Sequence, residues 1–371
     1  MHHFTAHRLR FVGEVQTTIE LNEHQGSAIR GALFNVLRRN FCLEQHFTSC
    51  QPCPLHASCP VSFLLATVDD AAQRGADLPR PYTIEPPLGA TPYYAPGDRL
   101  EFGLTMFARA LNLFPYLVVA ATALQRDGIG RKVETNRWQR GTFILREIWA
   151  ENPLTGQRQA VLQAKDPLVN VPDIPITHEQ ILATVRGYMD RGYESGVHTT
   201  SPTPTSLTLH FLTPTRLVDQ GRLVPRPVFR VVVQRLFERL SALARAYSDT
   251  PLELDFHALL QQAEQVQLVE DDTHWVELDS YSTRRQTHTP MGGFIGQATY
   301  IGPIAAFLPW LLWGQFTHVG KDAVKGNGWY EIRVREEMLS ATRSSPRQKI
   351  AAEPANTKYL KEYEADYDPN P

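Results

Sequence analysis

The chain has 371 residues, enough for two domains of ordinary size. Hydrophobic residues make up 42% and charged residues 20%, the balance of a water-soluble globular protein. The formal net charge of -2 excludes a globally basic nucleic-acid binder, so any such site must be a local patch. Residues 1–10 are polar and basic with no apolar core after them, unlike a secretory signal. The longest apolar run, residues 304–313, contains Pro309 and falls well short of the roughly 20 residues that span a bilayer. These features predict a cytoplasmic protein.

In chain order, residues 7–15 read as a strand, with Leu9, Phe11 and Gly13 on one face. A polar turn follows at residues 22–26. Ser27 is placed to cap a helix running to about Arg39, with Ile29, Leu33, Val36 and Leu37 as its apolar stripe. Arg30, Arg38 and Arg39 lie outside that stripe, available to solvent or a polyanion. All four cysteines come next: Cys42, Cys50, Cys53 and Cys59. In a reducing compartment such clustering argues for metal ligation over disulfides. Four thiolates can close a tetrahedral zinc site or hold an iron–sulfur cluster. Zinc is the first expectation, iron–sulfur the second and free structural thiols the third. In each case the role would be structural.

Proline-rich connectors at 78–87 and 92–96 lead to a strand and helix region over about 100–124. A glycine turn at 128–131 precedes strands near 142–149 and 159–163. The Ser/Thr/Pro stretch 199–206 reads as a linker. Beyond it Leu207, Leu209 and Phe211 alternate as a strand. Phe229, Val232, Val233, Leu236, Leu240 and Leu243 mark a long amphipathic helix. Strands near 266–279 and 293–300, a helix near 304–316 and a last strand at 330–334 complete β-α-β-β-α-β, the ferredoxin-like unit. Pro309 falls in the first turn of that second helix or kinks it. Residues 336–371 are charged and lack periodicity, which predicts a mostly disordered tail.

The loop between the last helix and last strand runs His318-Val319-Gly320-Lys321-Asp322-Ala323-Val324-Lys325-Gly326-Asn327-Gly328-Trp329-Tyr330. Glycines let a backbone approach a phosphate and present its N–H groups, and two lysines add charge. The spacing fits neither a Walker loop nor a dinucleotide fingerprint. A plain structural turn is the other reading.

This stretch resembles the C-terminal glycine-rich loop of the CRISPR repeat-processing endoribonucleases of the Cas six type, in the RAMP superfamily. So do Tyr281-Ser282-Thr283-Arg284-Arg285-Gln286, Gly292-Gly293-Phe294-Ile295-Gly296, Phe307-Leu308-Pro309, Leu212-Thr213-Pro214-Thr215-Arg216-Leu217 and Gly26-Ser27-Ala28-Ile29-Arg30-Gly31. One departure is Asp322, where the family often has a second glycine; a carboxylate there would repel phosphate.

The resemblance implies an α+β fold of two ferredoxin-like (RAMP) domains in tandem. The N-terminal one would span 1–198, with the cysteine-rich insertion at 42–59, and the C-terminal one 206–335. It also implies metal-independent cleavage of CRISPR repeat RNA. In that chemistry the ribose 2′-OH attacks the adjacent phosphate, leaving a 2′,3′-cyclic phosphate and mature crRNA. Such a reaction needs a base, an acid and cations around the phosphate. His318 leads as candidate base, being attached to the loop, although a histidine satisfied by the last helix carbonyls is its duller reading. His46 follows, after the first helix, then His24 in the turn before it; Lys321 is the lysine alternative. Arg30, Arg38, Arg39, Arg284, Arg285, Gly320, Lys325, Gly326 and Gly328 are RNA-contact candidates. The rival reading is a non-catalytic RAMP subunit that holds crRNA within a CRISPR effector complex, since fold alone does not separate the two.

Overall fold

The structure is a computed structural model. It describes residues 1, 3–47, 49–66, 78–89, 91–166, 168–194, 206–282 and 287–333. The expected linker at 199–206 lies almost wholly outside these residues, and the expected tail at 336–371 and the Arg284-Arg285 pair lie entirely outside them.

The first half is built on β1 (Ala6–Val15), α1 (Gln25–Phe41), β2 (Tyr82–Glu85), β3 (Arg99–Phe107), α2 (Phe114–Asp127), β4 (Phe143–Asn152) and β5 (Gln157–Gln163). The sheet order is β2-β3-β1-β4-β5, antiparallel throughout. Leu9 pairs across with Leu104 on one side and Ala150 on the other, so one apolar face runs through the three central strands. Helices α1 and α2 cover that face. Ile29, Leu33, Val36 and Leu37 of α1 and Leu117, Ala121 and Leu124 of α2 are buried against Leu9, Phe11 and Phe102. The stripe read from the sequence is therefore the buried face of α1.

Helix α3 (His178–Glu194) bridges to the second half. That half comprises β6 (Ser206–Thr215), α4 (Phe229–Tyr247), β7 (Gln267–Val276), β8 (Gly293–Ile301), α5 (Leu308–Thr317) and β9 (Tyr330–Arg333). Its sheet order is β7-β8-β6-β9, and Leu209 sits between Ala298 and Ile332. Counted in order within each half, the strands run 2-3-1-4-5 in the first sheet and 2-3-1-4 in the second. Pro309 sits in the first turn of α5, where its missing N–H costs nothing, so it does not kink the helix.

The core of the second half draws in residues from the first. Phe4, Ala6, Phe107, Ile176, Ile181 and Val185 pack with Phe237, Leu240, Leu311 and Trp313. Phe4 meets the Trp313 ring edge-on at 5.2 Å. Polar links cross the same boundary: the Thr83 hydroxyl donates to the Phe316 carbonyl at 2.8 Å, and the Tyr247 hydroxyl to Pro79 at 2.6 Å. The helix–strand loop of the second half is thereby held against the start of α1. No helix among the described residues is long and apolar enough to cross a membrane.

Candidate functional site

The N-terminus of α1 and the glycine-rich loop at 318–329 come together. The N-cap of α1 is His24, not Ser27: its Nδ1 accepts the Ser27 backbone N–H at 3.0 Å. An imidazole lone pair thus does the work usually given to a hydroxyl or carboxylate. The other ring nitrogen, Nε2, carries the proton and donates to Oδ1 of Asn327, 303 residues away. Asn327 is fully buried, and its amide donates to the Met291 carbonyl at 3.1 Å. Gly26 packs onto the loop so closely that a Cβ there would overlap the Lys325 carbonyl. The Ser27 hydroxyl and the Lys325 ammonium both reach the Met291 sulfur, at 3.7 and 3.4 Å. Burial pushes the His24 pKa below its ordinary value; the bond to Asn327 opposes this, and the Lys325 charge adds to it. His24 is therefore neutral at neutral pH. No acidic residue occupies the first turn of α1, so the positive end of the helix dipole is not neutralised from within the helix.

The loop itself is a clasp rather than an open cradle. The N–H groups of Val319, Lys321, Lys325, Gly326 and Gly328 donate to backbone carbonyls of Gly328, Arg216, Asp322, Ala323 and Pro214, and Trp329 N–H donates to the Thr213 hydroxyl. Gly320, Gly326 and Gly328 all have positive φ, and a Cβ at Gly328 would overlap the Val319 carbonyl. Their glycine character answers to backbone packing. Asp322 also has a left-handed backbone (φ 58°), the conformation a glycine adopts freely. Its carboxylate pairs with Lys325 at 2.9 Å, holding that ammonium instead of standing free against phosphate. Lys321 is exposed.

His318 occupies a different place from the one its sequence position suggests. It caps the C-terminus of α5, is fully buried and stacks on Trp329 with ring centroids 6.1 Å apart. Its Nδ1 donates to the Asn327 carbonyl at 3.2 Å, and Nε2 has no protein partner. Burial, with Arg239 nearby, lowers its pKa to about 3. It supports the loop from beneath and presents no nitrogen to the surface.

His46 lies in the turn beyond the other end of α1, exposed, with Nδ1 3.2 Å from Glu44 and its ring against Phe47. A 17-residue helix is about 25 Å long, so His24 and His46 stand roughly that far apart. They do not form one base–acid pair. Arg38 and Arg39 are at the His46 end and are engaged. Arg38 donates to the carbonyls of Gln45 and Phe47, and Arg39 pairs with Asp127. Arg30, two turns nearer His24, is half-buried, and its Nε has no protein partner.

Cys42, Cys50, Cys53 and Cys59 are free thiols beside this same end of α1. Cys50 is raised above its ordinary pKa first by burial and then by the other three thiols, so all four lie within electrostatic reach. Even so, no three His, Cys, Asp or Glu side chains among the described residues gather closely enough to hold a metal ion. Arg38 and the turn bond from Cys53 N–H to the Cys50 carbonyl help to order the segment.

Sequence reading missed Asn327 as the partner of His24. A polar side chain between two glycines of a turn was its only signal.

Two halves that share the strand order 2-3-1-4, joined where a glycine-rich loop meets a helix N-terminus, define a mixed α+β protein. Residues 209–330 match the family model of the CRISPR-associated endoribonuclease Cas6, and residues 4–174 match a model of an N-terminal domain, AF_1859_N. The C-terminal half is thus similar to the Cas6 endoribonucleases over about a third of the chain. Among solved structures it is similar to the Cas6-RT-Cas1–Cas2 complex, at 13% identity and a TM-score of 0.52. That match covers 93% of this chain but 30% of the other; in a partial form of the complex the share is 48%. Cas6 of Thermus thermophilus aligns at 15% identity over 89% of this chain and 99% of its own, with a TM-score of 0.47. No curated protein matches at the sequence level.

Proposed function

We propose that this chain binds CRISPR repeat RNA and cuts it without a metal, by attack of a ribose 2′-OH on the neighbouring phosphate. We read both halves as ferredoxin-like domains, with the reaction at the seam between α1 and the glycine-rich loop. The observation that carries this reading is the contact from His24 to Asn327. It joins the start of the first helix to the very loop matched by the Cas6 family model.

Chemically, the seam supplies a base and a cation, and the leaving 5′-oxygen would take its proton from water. Burial keeps His24 neutral, hence able to take a proton. Asn327 fixes the tautomer by accepting the Nε2 proton, which leaves Nδ1 as the basic nitrogen. A phosphate at the N-terminus of α1 would compete for the Ser27 N–H that now occupies Nδ1. Its arrival would free Nδ1 to accept the 2′-OH proton. Lys325, exchanging Asp322 for the phosphate, would stabilise the charge that grows on the phosphorane oxygens. His24 thus leads among the three histidines, with Lys321 and Arg30 as phosphate contacts flanking the seam.

The non-catalytic reading, a RAMP-fold subunit that only holds crRNA, draws on one observation: both ring nitrogens of His24 are engaged here. A single-turnover assay separates the two. Labelled repeat RNA in EDTA should be cut once per repeat, leaving a 2′,3′-cyclic phosphate, and a 2′-deoxy substitution at the cut should stop cleavage while sparing binding. His24→Ala should slow cleavage about 100- to 10,000-fold. His46→Ala should leave the rate unchanged. Cutting that survives the 2′-deoxy substitution would rule out the mechanism, and binding without any cutting would favour the holding subunit.

A further inference from the structure

Beside the seam stands a short hairpin that the reaction does not use, formed by Ile129–Val133 and Gln139–Gly141. Residues 129–141 carry four cations, Arg131, Lys132, Arg137 and Arg140, against the single carboxylate of Glu134. All four cations are exposed. At the tip Trp138 is 66% exposed, an unusual setting for the largest apolar side chain.

The hairpin base is fixed to the segment that leads into His24. Gly130 and Gly141 lie so close to it that a Cβ on either would overlap the carbonyls of Glu20 and Thr18. Asn136 donates to the Thr18 carbonyl at 2.7 Å, and Arg131 to Asn22 at 3.1 Å, two residues before His24. The tip is ordered too. Arg137 N–H donates to Glu134 at 2.8 Å and Trp138 N–H to Val133 at 3.0 Å, closing a Schellman-type turn. Both Arg137 and Trp138 have left-handed backbones, φ 54° and 60°. A bulky aromatic is seldom found there, and such backbone outliers concentrate at ligand clamps.

We propose that this hairpin is a nucleotide-binding arm, with Trp138 stacking on one unpaired base of the RNA strand that flanks the cut and the surrounding cations following its phosphates. An ordered aromatic ringed by positive charge suits a single strand, because duplex bases already stack on one another. The short path from the hairpin base to His24 sets the register: the stacked base lies within a few nucleotides of the scissile phosphate. The inference rests on the RNA-processing reading above.

The test compares wild type, Trp138→Ala, Trp138→Phe and Arg137→Ala/Arg140→Ala on repeat RNA with and without its unpaired flanks. Binding is measured across a salt series, and melting temperature serves as the control for folding. Trp138→Ala should weaken binding of the flanked RNA roughly 5- to 150-fold, the range for loss of one base–aromatic stack. Trp138→Phe should restore most of it. The double arginine variant should lower the salt slope by up to about two. Removing the unpaired flanks should erase the difference between wild type and Trp138→Ala. Equal binding by wild type and Trp138→Ala overturns the arm while leaving the RNA reading intact. Failure of the wild type to bind any repeat RNA overturns both.

Discussion

His318 should make the protein acid-labile over a defined window. Its imidazole is fully buried, Nε2 has no protein partner, and the like charge of Arg239 opposes its protonation. Protonation in place would put a second cation beside a buried guanidinium. The folded pKa is about 3, against 6.5 for an ordinary histidine. The unfolded chain therefore binds a proton that the folded chain refuses. The sign follows: His318 costs nothing above pH 6.5, and folding loses stability as the pH falls from 6.5 towards 3. At about 1.4 kcal/mol per pH unit, 6.5 minus about 3 gives a loss of up to about 5 kcal/mol from this residue. His7, lowered to about 4 by burial, adds to the same trend. Urea unfolding of wild type and His318→Asn at half-unit steps from pH 7.5 to 4.5 isolates the His318 share. The variant should be less stable at pH 7, having lost the bond to Asn327, yet show a shallower slope by about 1.4 kcal/mol per pH unit below pH 6. Parallel slopes for the two proteins would refute the reasoning.

Three further outcomes follow, two at the seam and one at the far end of α1. Gly26→Ala should cost about 1–3 kcal/mol through overpacking against Lys325 and should slow cleavage more than it lowers melting temperature; normal cleavage would mean that the clasp does not position the site. Asp322→Gly should relieve a left-handed backbone and release Lys325, giving tighter RNA binding with a salt slope steeper by about one; an unchanged slope would show that Lys325 does not meet phosphate. Cys50, raised by burial and by three neighbouring thiols, should react with iodoacetamide more slowly than a free thiol at pH 7.5, checked by mass spectrometry; faster reaction would contradict the geometry.

Periodicity carried most of the fold. The stripe from Ile29 to Leu37 and the one from Phe229 to Leu243 are buried faces, because burial repeats with the helix turn. Helix α3 was not foreseen, although Ile181 and Val185 stand at i and i+4 and are buried. Its pattern is short and sits beside a Ser/Thr/Pro stretch that reads as linker. The site was harder to read because its contacts skip across the chain. Nothing local marks His24 as the partner of Asn327, or Gly26 as the surface on which Lys325 rests. Sequence nearness misled in the opposite direction at His318: adjacency to a glycine loop says nothing about which side of the backbone the ring takes, and here it takes the core.

The glycines of the loop show how one residue pattern serves two kinds of chemistry. A glycine-rich turn can hold phosphate on free N–H groups, or it can let two backbones touch. Here the second use dominates, since the N–H groups of Val319, Lys321, Lys325, Gly326 and Gly328 are already spent on carbonyls. A closed loop of this kind cannot open donors to a phosphate without losing its own bonds. What it can do is fix Asn327 and Lys325 in place against the first turn of α1. The free end of the helix dipole, and not the loop backbone, is then the nearest ready anion site. That ordering makes a sharp demand on any bound RNA. On the proposed reaction, its scissile phosphate would approach from the α1 side, over Ser27, where His24 Nδ1 would be the basic nitrogen within reach and the basic hairpin stands alongside.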